Sequence, residues 1–584
     1  MDEHDRADVY DVVVIGSGAG GLACAVTAAV RGLTAVVLEK EPVFGGTTAF
    51  SGGYLWVPGH PKDGKPADPA EIEAARSYMR HEAGNAYDAD RVDAFLANGR
   101  SMVEFFEEMT EVKFLDAPAF SDYHPEAPGG RPGGRSILTA PLDGQALGDD
   151  IRRLRPPLST ITFVGMMFNS SQEVNHFFNV TRSAASAWHV TKRLVAHGRD
   201  LALHRRGMRL TSGNALAARL ALSARRYGVP ILTSSPARRL VNEGDRVVGV
   251  EVDTSEGMRT IRVRHAVVLA AGGFPQDPAR RKALFPHAPT GAEHVSPAPA
   301  GNTGDGLRLG ENAGGVVATE LPNAAAWIPV SRVPRRDGSM AVFPHLIDRY
   351  KPGVIAIGPD GRRFVNEANS YHDFGQAMIR AGGGGDCHAW LVCDHRALRK
   401  YGLGFVKPFP LPIGHHLRSG YLLKGRTPRE LAEKAGFDAS AFEAQIEAFN
   451  REARHGRDPQ FGKGDTAYNR FLGDATHKPN PCVAPLDSGP LYAIRLVLGD
   501  LGTFAGLRTD AMTRVLDASG QPIAGLHAVG NDAASVMGGA YPGGGITLGP
   551  ALIFGYIAGN AIADAAGGLS KDRQSAKEQP FEAE

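Results

Sequence analysis

Cysteine is scarce in this sequence, and neither a long apolar run nor an excess of one charge is present. The 584 residues include four cysteines, none in C-x-x-C spacing, which excludes a disulfide framework and argues against a zinc site. Lys and Arg total 64 against 63 Asp and Glu, so the chain lacks the broad positive surface that binds nucleic acid or an anionic membrane. We therefore expect no metal and no nucleic-acid partner.

No segment approaches the roughly 18 apolar residues with which a helix crosses a bilayer. The most suggestive one, ITFVGMMF at 161–168, is far too short. The start MDEHDRADVY is too polar for a signal peptide, and the end, 570–584, is rich in Lys, Gln and Glu, as disordered segments are. The sequence thus predicts a cytoplasmic protein without an integral membrane segment and with a disordered tail.

Glycine, in contrast, is abundant at 72 of 584 residues, well above the ~7% of average proteins. The glycines are clustered, which is typical of backbone brought close to a ligand. Gly16, Gly18 and Gly21 form a G-x-G-x-x-G motif between a buried apolar strand at 11–15 and a helix. A second strand, at 35–38, ends at Glu39 and completes one βαβ unit.

This motif in this context is the dinucleotide-binding fingerprint. Gly16 makes the tight turn, Gly18 admits a pyrophosphate to the helix N-terminus, and Gly21 lets the helix pack on the sheet. Glu39 would accept hydrogen bonds from a ribose. The alternative is a strand–turn–helix without a ligand. The stretch GGTTAFSGG at 45–53 adds amides and hydroxyls for a second phosphate and a flavin ring, which favours FAD over NAD.

A second glycine-rich cluster lies near the C-terminus. A strand at 526–529 ends at Gly530 and Asn531, at the sheet edge where open α/β sheets bind ligands. Gly543–Gly545 then lead into an apolar helix that begins near Thr547. The positive end of that helix could stabilise a reduced flavin. A glycine-rich turn without a ligand is the alternative.

The middle of the chain predicts further α/β elements and then a change of pattern. We expect a helix at 214–226, a strand at 231–232, an antiparallel pair at 247–252 and 261–263, and a buried strand at 265–271. From about 320 to 495 the pattern is irregular and rich in proline. This predicts an α/β protein with a FAD-binding domain built from 1–320 and 496–569, and a catalytic cap domain inserted at 321–495.

Several motifs together resemble one known family, over roughly residues 8–565. They are DVVVIGSGAGGLACA, GGTTAFSGGYLWVP, AAGGF, GNTGDG, GRRFVNE and AVGNDAASVMGGAYPGGGITLGPA. The chain resembles the FAD-dependent oxidoreductases that group fumarate reductase flavoproteins with 3-ketosteroid dehydrogenases. The resemblance implies a Rossmann-type, glutathione-reductase-like FAD-binding domain with an inserted α+β cap. Because GTTAFSGG contains no histidine that could anchor a flavin, we expect non-covalent FAD.

The motifs and the resemblance together give the residues expected to bind FAD. They are Gly16, Gly18, Gly20, Gly21, Glu39, Lys40, Gly46, Thr47, Thr48, Ser51, Gly52, Gly53, Ala237, Ala271, Gly272, Asp305, Gly530, Asn531, Thr547 and Leu548.

The C-terminal motif also bears on the substrate. Family members that reduce dicarboxylates carry a His and an Arg there, in a sequence like HGANRLGG, because carboxylates need cationic partners. This chain has GGAYPGGGITLG instead. The difference argues for an uncharged carbonyl substrate.

The tyrosine pattern resembles that of 3-ketosteroid Δ1-dehydrogenases. The resemblance implies that Tyr541 and the amide of Gly545 bind the substrate ketone, that Tyr371 removes a proton, and that Tyr123 assists it. A free tyrosine has a pKa of about 10, so we expect a second hydroxyl or a helix dipole to lower the pKa of the base. His372 is a competing acid–base candidate, and ordinary buried aromatics are the alternative for all three tyrosines.

We therefore expect a FAD-dependent dehydrogenase of a bulky hydrophobic ketone, with a 3-ketosteroid favoured and hydride passing to flavin N5. The electron acceptor is not identified by the sequence. The alternatives are dehydrogenation at another steroid position or of another cyclic ketone, an ene-reductase of fumarate reductase type, and a non-catalytic flavin carrier. The segment 161–168, with Phe177 and Phe178, could line an apolar tunnel, although ordinary core is the favoured interpretation.

Overall fold

The computed structural model describes residues 9–60, 68–168, 173, 176–177, 179–181, 183–383 and 387–567. Its described helices, α1 to α14 in chain order, are Ala19–Val30, Pro69–Ala83, Ala89–Met109, Ala184–His204, Ser212–Arg226, Pro278–Leu284, Asp305–Asn312, Tyr371–Gly382, His395–Tyr401, Gly414–Arg418, Pro428–Ala435, Ala439–Ala453, Ala467–Leu472 and Leu548–Ala565.

The strands, β1 to β19, are Val9–Ile15, Ala35–Leu38, Tyr54–Trp56, Phe114–Asp116, Ser136–Thr139, Leu142–Asp143, Arg209–Leu210, Ile231–Leu232, Ala237–Glu243, Arg246–Thr254, Gly257–Leu269, Ala325–Pro334, Met340–Pro344, Val354–Ile357, His388–Asp394, Leu423–Gly425, Leu491–Thr503, Arg514–Leu516 and Pro522–Ala528.

A central sheet carries the two glycine-rich clusters. Strands β8, β2, β1, β11 and β19 lie side by side and pair in parallel, and the β9–β10 hairpin extends the sheet. Strands β1 and β2 carry buried apolar residues on both faces. This pattern fits their place in the middle of the sheet, because parallel strands there are covered on both faces. Gly16 follows β1 at φ +112°, where a Cβ would lie 2.1 Å from the Ala270 oxygen. Only glycine permits this turn.

The first and last helices pack against each other on this sheet. Glycines of α14 allow the close approach, since a Cβ on Gly555 would lie 2.5 Å from the Gly20 oxygen. Arg31, just after α1, donates to Asn560 and Asp564 of α14, each at 2.6 Å. By length and composition α14 could also cross a membrane, but 78% of it is buried inside the protein. It thus behaves here as a core helix that joins the two ends of the chain.

One prediction for the sheet is wrong in detail. The separate strands expected at 261–263 and 265–271 form the single strand β11. No turn residue interrupts it, and its two halves have different partners. The first half pairs antiparallel with β10, and the second pairs in parallel with β1 and β19.

The region with the irregular, proline-rich pattern forms a second, antiparallel sheet. Its strands run in the order β13, β12, β17, β15, β14, with β16 also paired to β17. Strand β17 continues from Leu491 to Thr503 and so passes through the boundary expected at 495. The division into 1–320, 321–495 and 496–569 stays a prediction, and the tail at 570–584 lies outside the described residues.

Candidate active site

Two adjoining cavities lie between the central sheet and the antiparallel sheet. The first, of about 410 Å³, lies at the carboxyl ends of β1, β2 and β11 and is lined by every residue predicted to bind FAD except Gly52 and Gly53. Those two line the second cavity, of about 320 Å³. Both cavities share the residues Thr47, Ser51, Leu501, Thr547 and Leu548. A ligand of the first cavity can therefore contact a ligand of the second.

The first cavity suits a dinucleotide. At the N-cap of α1, a Cβ on Gly18 would meet nothing closer than the Thr48 hydroxyl at 3.7 Å, so the turn has room for a phosphate. Arg155 also lines this cavity, and its buried Nε has no hydrogen-bond partner in the described part of the chain. A cationic donor and an open helix N-terminus that line the same cavity fit the pyrophosphate of FAD.

The acidic residue at the end of β2 is buried and already partly hydrogen-bonded. Glu39 accepts the Ser17 hydroxyl at 2.5 Å and the Glu41 amide at 2.9 Å. A carboxylate has further lone pairs, so a ribose hydroxyl can still donate to it. Lys40 donates to Thr303 at 2.9 Å and pairs with Asp305. The contacts of these residues with FAD stay predictions.

Sequence reasoning missed several residues of the first cavity. They include Ser17, Arg155, Arg238 and Asn302. The amide of Asn302 donates to the Thr47 hydroxyl at 2.9 Å and so ties the GNTGDG segment to GGTTAFSGG. The GNTGDG motif was recognised in the sequence, and its asparagine was the signal that could have identified Asn302 as a residue of this cavity. Arg155 lies outside every motif, so nothing in the sequence indicated it.

The three predicted tyrosines come together in the second cavity, although they lie far apart in the chain. Tyr371 is the first residue of α8, and Tyr541 lies in the C-terminal glycine cluster. Tyr123 is held beside that cluster because its amide donates to the Pro542 oxygen at 2.9 Å. The ring of Tyr541 stacks on Tyr123 at 5.5 Å and meets the edge of Tyr371 at 5.0 Å. The Tyr123 hydroxyl donates to the Tyr371 hydroxyl at 2.8 Å.

The expectation that the site lowers the pKa of the tyrosine base is wrong. Burial raises the pKa of Tyr371 well above 10, although the hydrogen bond from Tyr123 acts to lower it. Burial likewise raises the pKa of Tyr541 to about 12. The two features that were expected to lower this pKa, a second hydroxyl and a helix N-terminus, are both present. The loss of hydration on burial raises the pKa by more than they lower it.

Gly545 lines the same cavity and has to be glycine. Its φ is +102°, and a Cβ would lie 2.6 Å from the Leu55 Cα. Within the described chain its N–H has no hydrogen-bond acceptor. An unpaired amide and the Tyr541 hydroxyl are the kind of donors that bind a carbonyl oxygen.

Two further tyrosines were not predicted. Tyr468 lines the second cavity, with its ring 4.5 Å from that of Tyr123. Its hydroxyl lies 2.6 Å from that of Tyr350, which in turn accepts the buried Arg349 guanidinium at 3.2 Å. These residues belong to no motif, so only the fold shows that they extend the tyrosine cluster.

A histidine beside Tyr123 joins the elements that carry the tyrosines. His124 Nδ1 lies 2.9 Å from Glu82 of α2, and its Nε2 lies 2.9 Å from Asp373 of α8. Burial acts to lower the pKa of His124, but the hydrogen bonds to Asp373 and Glu82 outweigh it and raise the pKa to about 10. His124 is thus a cation at neutral pH that links α2 to the helix of Tyr371.

The competing acid–base candidate lies elsewhere. His372 accepts the Trp327 amide at its Nδ1, at 3.1 Å, and it lines neither cavity. Burial lowers the pKa of His372 to about 4. It is therefore a neutral core histidine rather than a group facing the second cavity.

The walls of the second cavity are apolar. The expectation that 161–168 is ordinary core is wrong, because Ile161, Met167 and Phe168 line this cavity. Phe177 packs edge-on against Phe168 at 4.8 Å, and Phe178 lies outside the described residues. Other apolar residues form most of the wall, namely Phe120, Leu158, Pro297, Ala298, Pro344, Leu346, Ile347, Phe471 and Leu472, and the carboxyl residue Asp500 also lines the cavity. No Lys or Arg of the described chain lines it.

Comparison with known proteins agrees with this geometry. A family model described as FAD binding domain matches residues 11–548. The chain is 42% identical to the 4-oxocyclohex-2-ene-1-carboxylate 5-dehydrogenase of Sinomonas cyclohexanicum, over 96% of this chain and 95% of that protein. It is 38% identical to the 3-oxosteroid 1-dehydrogenase of Mycolicibacterium smegmatis, over 96% and 98%.

A solved structure has the same fold over its whole length. The crystal structure of 3-ketosteroid delta1-dehydrogenase from Sterolibacterium denitrificans in complex with 1,4-androstadiene-3,17-dione has a TM-score of 0.88 at 34% identity, and the match covers 96% of this chain and 100% of that one. These likenesses confirm the predicted fold and FAD as the cofactor. The chain belongs to the FAD binding domain family and is a flavin-dependent dehydrogenase related to the 3-oxosteroid 1-dehydrogenases.

Proposed function

We propose that this enzyme dehydrogenates a bulky hydrophobic ketone next to its carbonyl group, with a 3-ketosteroid desaturated at the Δ1 position as the favoured substrate. The observation that carries the proposal is the position of Tyr123, Tyr371, Tyr541 and Gly545 in one apolar cavity that adjoins the FAD cavity. We further propose that FAD is held without a covalent bond and that the protein is cytoplasmic, and the low number of cysteines, four in 584 residues, supports the second of these proposals.

Each of these residues has a defined part in the reaction. The Tyr541 hydroxyl and the Gly545 N–H donate to the ketone oxygen and stabilise the charge that develops there. This makes the neighbouring C–H more acidic, and Tyr371 removes that proton. Tyr123 donates to the Tyr371 oxygen and stabilises the phenolate form that acts as base. Bound FAD supplies the hydride acceptor.

A smaller ring ketone is the second candidate. The 42% identical relative is named for a 4-oxocyclohexene carboxylate, and the apolar walls would accept its ring. A buried carboxylate, however, is usually paired with a cation, ideally a bidentate Arg. The second cavity offers neither Lys nor Arg among its described lining residues. This favours an uncharged substrate and also argues against a fumarate reductase-like reaction.

Anaerobic mixing with candidate substrates tests the proposal. We expect 4-androstene-3,17-dione to bleach the flavin absorbance of the oxidised holoenzyme, whereas 4-oxocyclohex-2-ene-1-carboxylate should bleach it much more slowly. The methyl ester of that acid is the matched control for its charge. Faster bleaching by the acid than by the steroid would make the keto acid the substrate. Reoxidation of reduced enzyme by fumarate, with no bleaching by any ketone, would overturn the proposal.

A further inference from the structure

A buried cation without a carboxylate partner lies beside the last helix, α14. Arg91, in the first turn of α3, is only 6% exposed. Its guanidinium donates to the Ala534 oxygen at 2.6 Å and lies over the ring of Phe554, 5.4 Å from the ring centroid. Neither partner carries a charge, and no carboxylate of the described chain forms an ion pair with Arg91. Buried charges are usually paired, so this cation is an exception.

The surroundings of Arg91 disfavour its charge. Burial lowers the pKa of the guanidinium, and the attraction of Asp88 and Asp510 does not offset this effect. The dipole of α3 also opposes a cation in the first turn of that helix. The stability of the fold therefore does not explain why a charge stands at this position.

Arg91 also lines a small cavity that adjoins the FAD cavity. This third cavity, of about 30 Å³, is lined by Arg91 and Thr503 among others. The Arg91 Nε and the Thr503 hydroxyl are buried and have no hydrogen-bond partner in the described part of the chain. Gly530, Asn531 and Thr547 line both the third cavity and the FAD cavity. These residues thus form the wall between Arg91 and the FAD cavity.

The N-terminus of α14 belongs to the same wall. Its N-cap residue Thr547 and its first-turn residue Ala551 each line both cavities, and Phe554, under the guanidinium, follows in the next turn. A helix N-terminus carries unpaired amides and a partial positive charge. Arg91 adds a full positive charge at the same end of the same helix. Because this wall is buried, salt and water screen that charge only weakly.

We propose that Arg91, acting with the N-terminus of α14, stabilises the negative charge of reduced FAD and so raises the reduction potential of the bound flavin. A hydride carries two electrons and one proton, so reduced FAD holds one negative charge more than oxidised FAD. A fixed positive charge at the wall favours the more negative form. Arg91 does not line the FAD cavity, so it is a positioning residue that acts through the helix. The proposal rests on FAD as the cofactor and not on the identity of the ketone.

The reduction potential of the bound flavin tests this without any ketone. The holoenzyme is reduced anaerobically in the presence of a redox dye of known potential. Arg91→Gln removes the charge but keeps an amide that can donate to the Ala534 oxygen. We expect the reduction equilibrium to shift about tenfold toward oxidised FAD, which is about 30 mV for a two-electron couple. Arg91→Lys keeps the charge and should keep the potential.

The affinity for FAD separates an effect of charge from damage to the cavity. In Arg91→Gln, reduced FAD should bind about tenfold more weakly while the Kd of oxidised FAD stays nearly unchanged, because binding and reduction are thermodynamically linked. Arg100→Gln is the matched control. Arg100 lies on the same helix, pairs with Glu104 at 2.7 Å and lines neither cavity. Its substitution should change neither the potential nor the affinity.

A second pair of variants neutralises Arg91 without removing it. Thr509 lines the third cavity together with Arg91. Thr509→Asp places a carboxylate close to the guanidinium, whereas Thr509→Asn has the same size and no charge. We expect Thr509→Asp to lower the potential in the same direction as Arg91→Gln, and Thr509→Asn to leave it unchanged. This pair decides the matter if flavin absorbance and thermal unfolding show that the Arg91 variants do not fold.

Three results would overturn the proposal. They are an unchanged potential in Arg91→Gln, equal shifts in Arg91→Gln and Arg91→Lys, and equal shifts in Thr509→Asp and Thr509→Asn. Equal shifts within a pair would assign the effect to packing around α14 instead of charge. Each of these results would leave the ketone chemistry proposed above intact, because no ketone is present in the measurement.

Discussion

At the scale of single residues, the tyrosine cluster combines two opposing effects. Burial makes the phenolate form of Tyr371 costly, while the hydroxyl of Tyr123 and the N-terminus of α8 stabilise it. The same burial strengthens every hydrogen bond that the cavity makes to a developing negative charge. A phenolate with a high pKa is a strong base once it has formed. Burial therefore lowers the fraction of Tyr371 that is deprotonated but raises the strength of the base.

Tyr541→Phe removes one donor to the ketone oxygen, together with the hydrogen bonds of the Tyr541 hydroxyl to Tyr371 and Thr547, and keeps the ring. We expect FAD to stay bound and kcat to fall by about 10²–10³, which is the usual effect of losing one such donor. The effect should appear in kcat more than in KM, because the bond strengthens as the enolate forms. Steady-state kinetics and the flavin spectrum check this. Tyr492→Phe, in the antiparallel sheet, is the control, and an unchanged kcat in Tyr541→Phe would assign the ketone donor to another group.

The pH dependence follows from the raised pKa of Tyr371. Because its pKa lies well above 10, the active phenolate fraction grows with pH across the usual range. We expect kcat/KM to rise by up to about tenfold per pH unit, with no plateau near neutrality. Tyr371→Phe should abolish turnover, and Tyr123→Phe should lower it at every pH, since the bond from Tyr123 lowers the pKa of Tyr371. A pH profile that is flat from 6 to 9, to within about a factor of two, would exclude a buried tyrosine base.

At the scale of elements, the sequence predicted the strands and helices whose pattern is local. The elements β1, β2, α5 and α14 were expected within a few residues of their observed ends, because buried apolar runs and flanking glycines mark them. The strands of the antiparallel sheet were not located, since β17 pairs with β12 and β15, which precede it by about a hundred residues or more, and proline obscures the alternation. Tyr123, Tyr371 and Tyr541 were found through motifs, whereas Arg155, His124 and Tyr468 act only through contacts made in the folded chain.

His124 links elements, and its contribution to stability should depend on pH. Its pKa is about 10 in the folded protein and about 6.5 in an unfolded chain. Because the pKa is higher in the folded protein, protonated His124 stabilises the fold fully below pH 6.5. This stabilisation is lost as the pH rises toward 10. His124→Gln should therefore lower the unfolding temperature most near pH 6 and least near pH 10, as measured by thermal unfolding.

His81→Gln, at an exposed position of α2, is the control for the loss of a histidine side chain. A His124→Gln difference that grows with pH would mean that the imidazole is neutral in the folded protein. The link to Asp373 would then be an ordinary hydrogen bond.

At the scale of the whole molecule, a buried group of charges holds the antiparallel sheet and its helices together. Arg363 bonds Glu367 at 2.8 Å and Asp458 at 2.7 Å, and Lys463 lies 3.6 Å from Glu367. All four side chains are 0–1% exposed. Removing one member of such a group leaves uncompensated charges without water, which costs more than the intact group stabilises.

Arg363→Met should destabilise the protein by about 3–5 kcal/mol, since it leaves Glu367 and Asp458 with one cation between them. Urea unfolding followed by circular dichroism checks this value. Arg429→Met is the matched control, because Arg429 pairs with Glu443 on the surface at 2.5 Å, and such exposed pairs contribute at most about 1 kcal/mol. An equal loss of stability in the Arg363→Met and Arg429→Met variants would mean that water reaches the buried group of charges.

The contact between α1 and α14 has a consequence for how the enzyme is made. Helix α1 is synthesised long before α14, and the FAD cavity is lined by residues of both helices. The small apolar residues of α1 therefore stay exposed on the nascent chain while the more than five hundred residues between α1 and α14 are added. The FAD cavity is complete only after α14 has been translated, so chains that stop before α14 lack residues of that cavity and are exposed to chaperones and proteases.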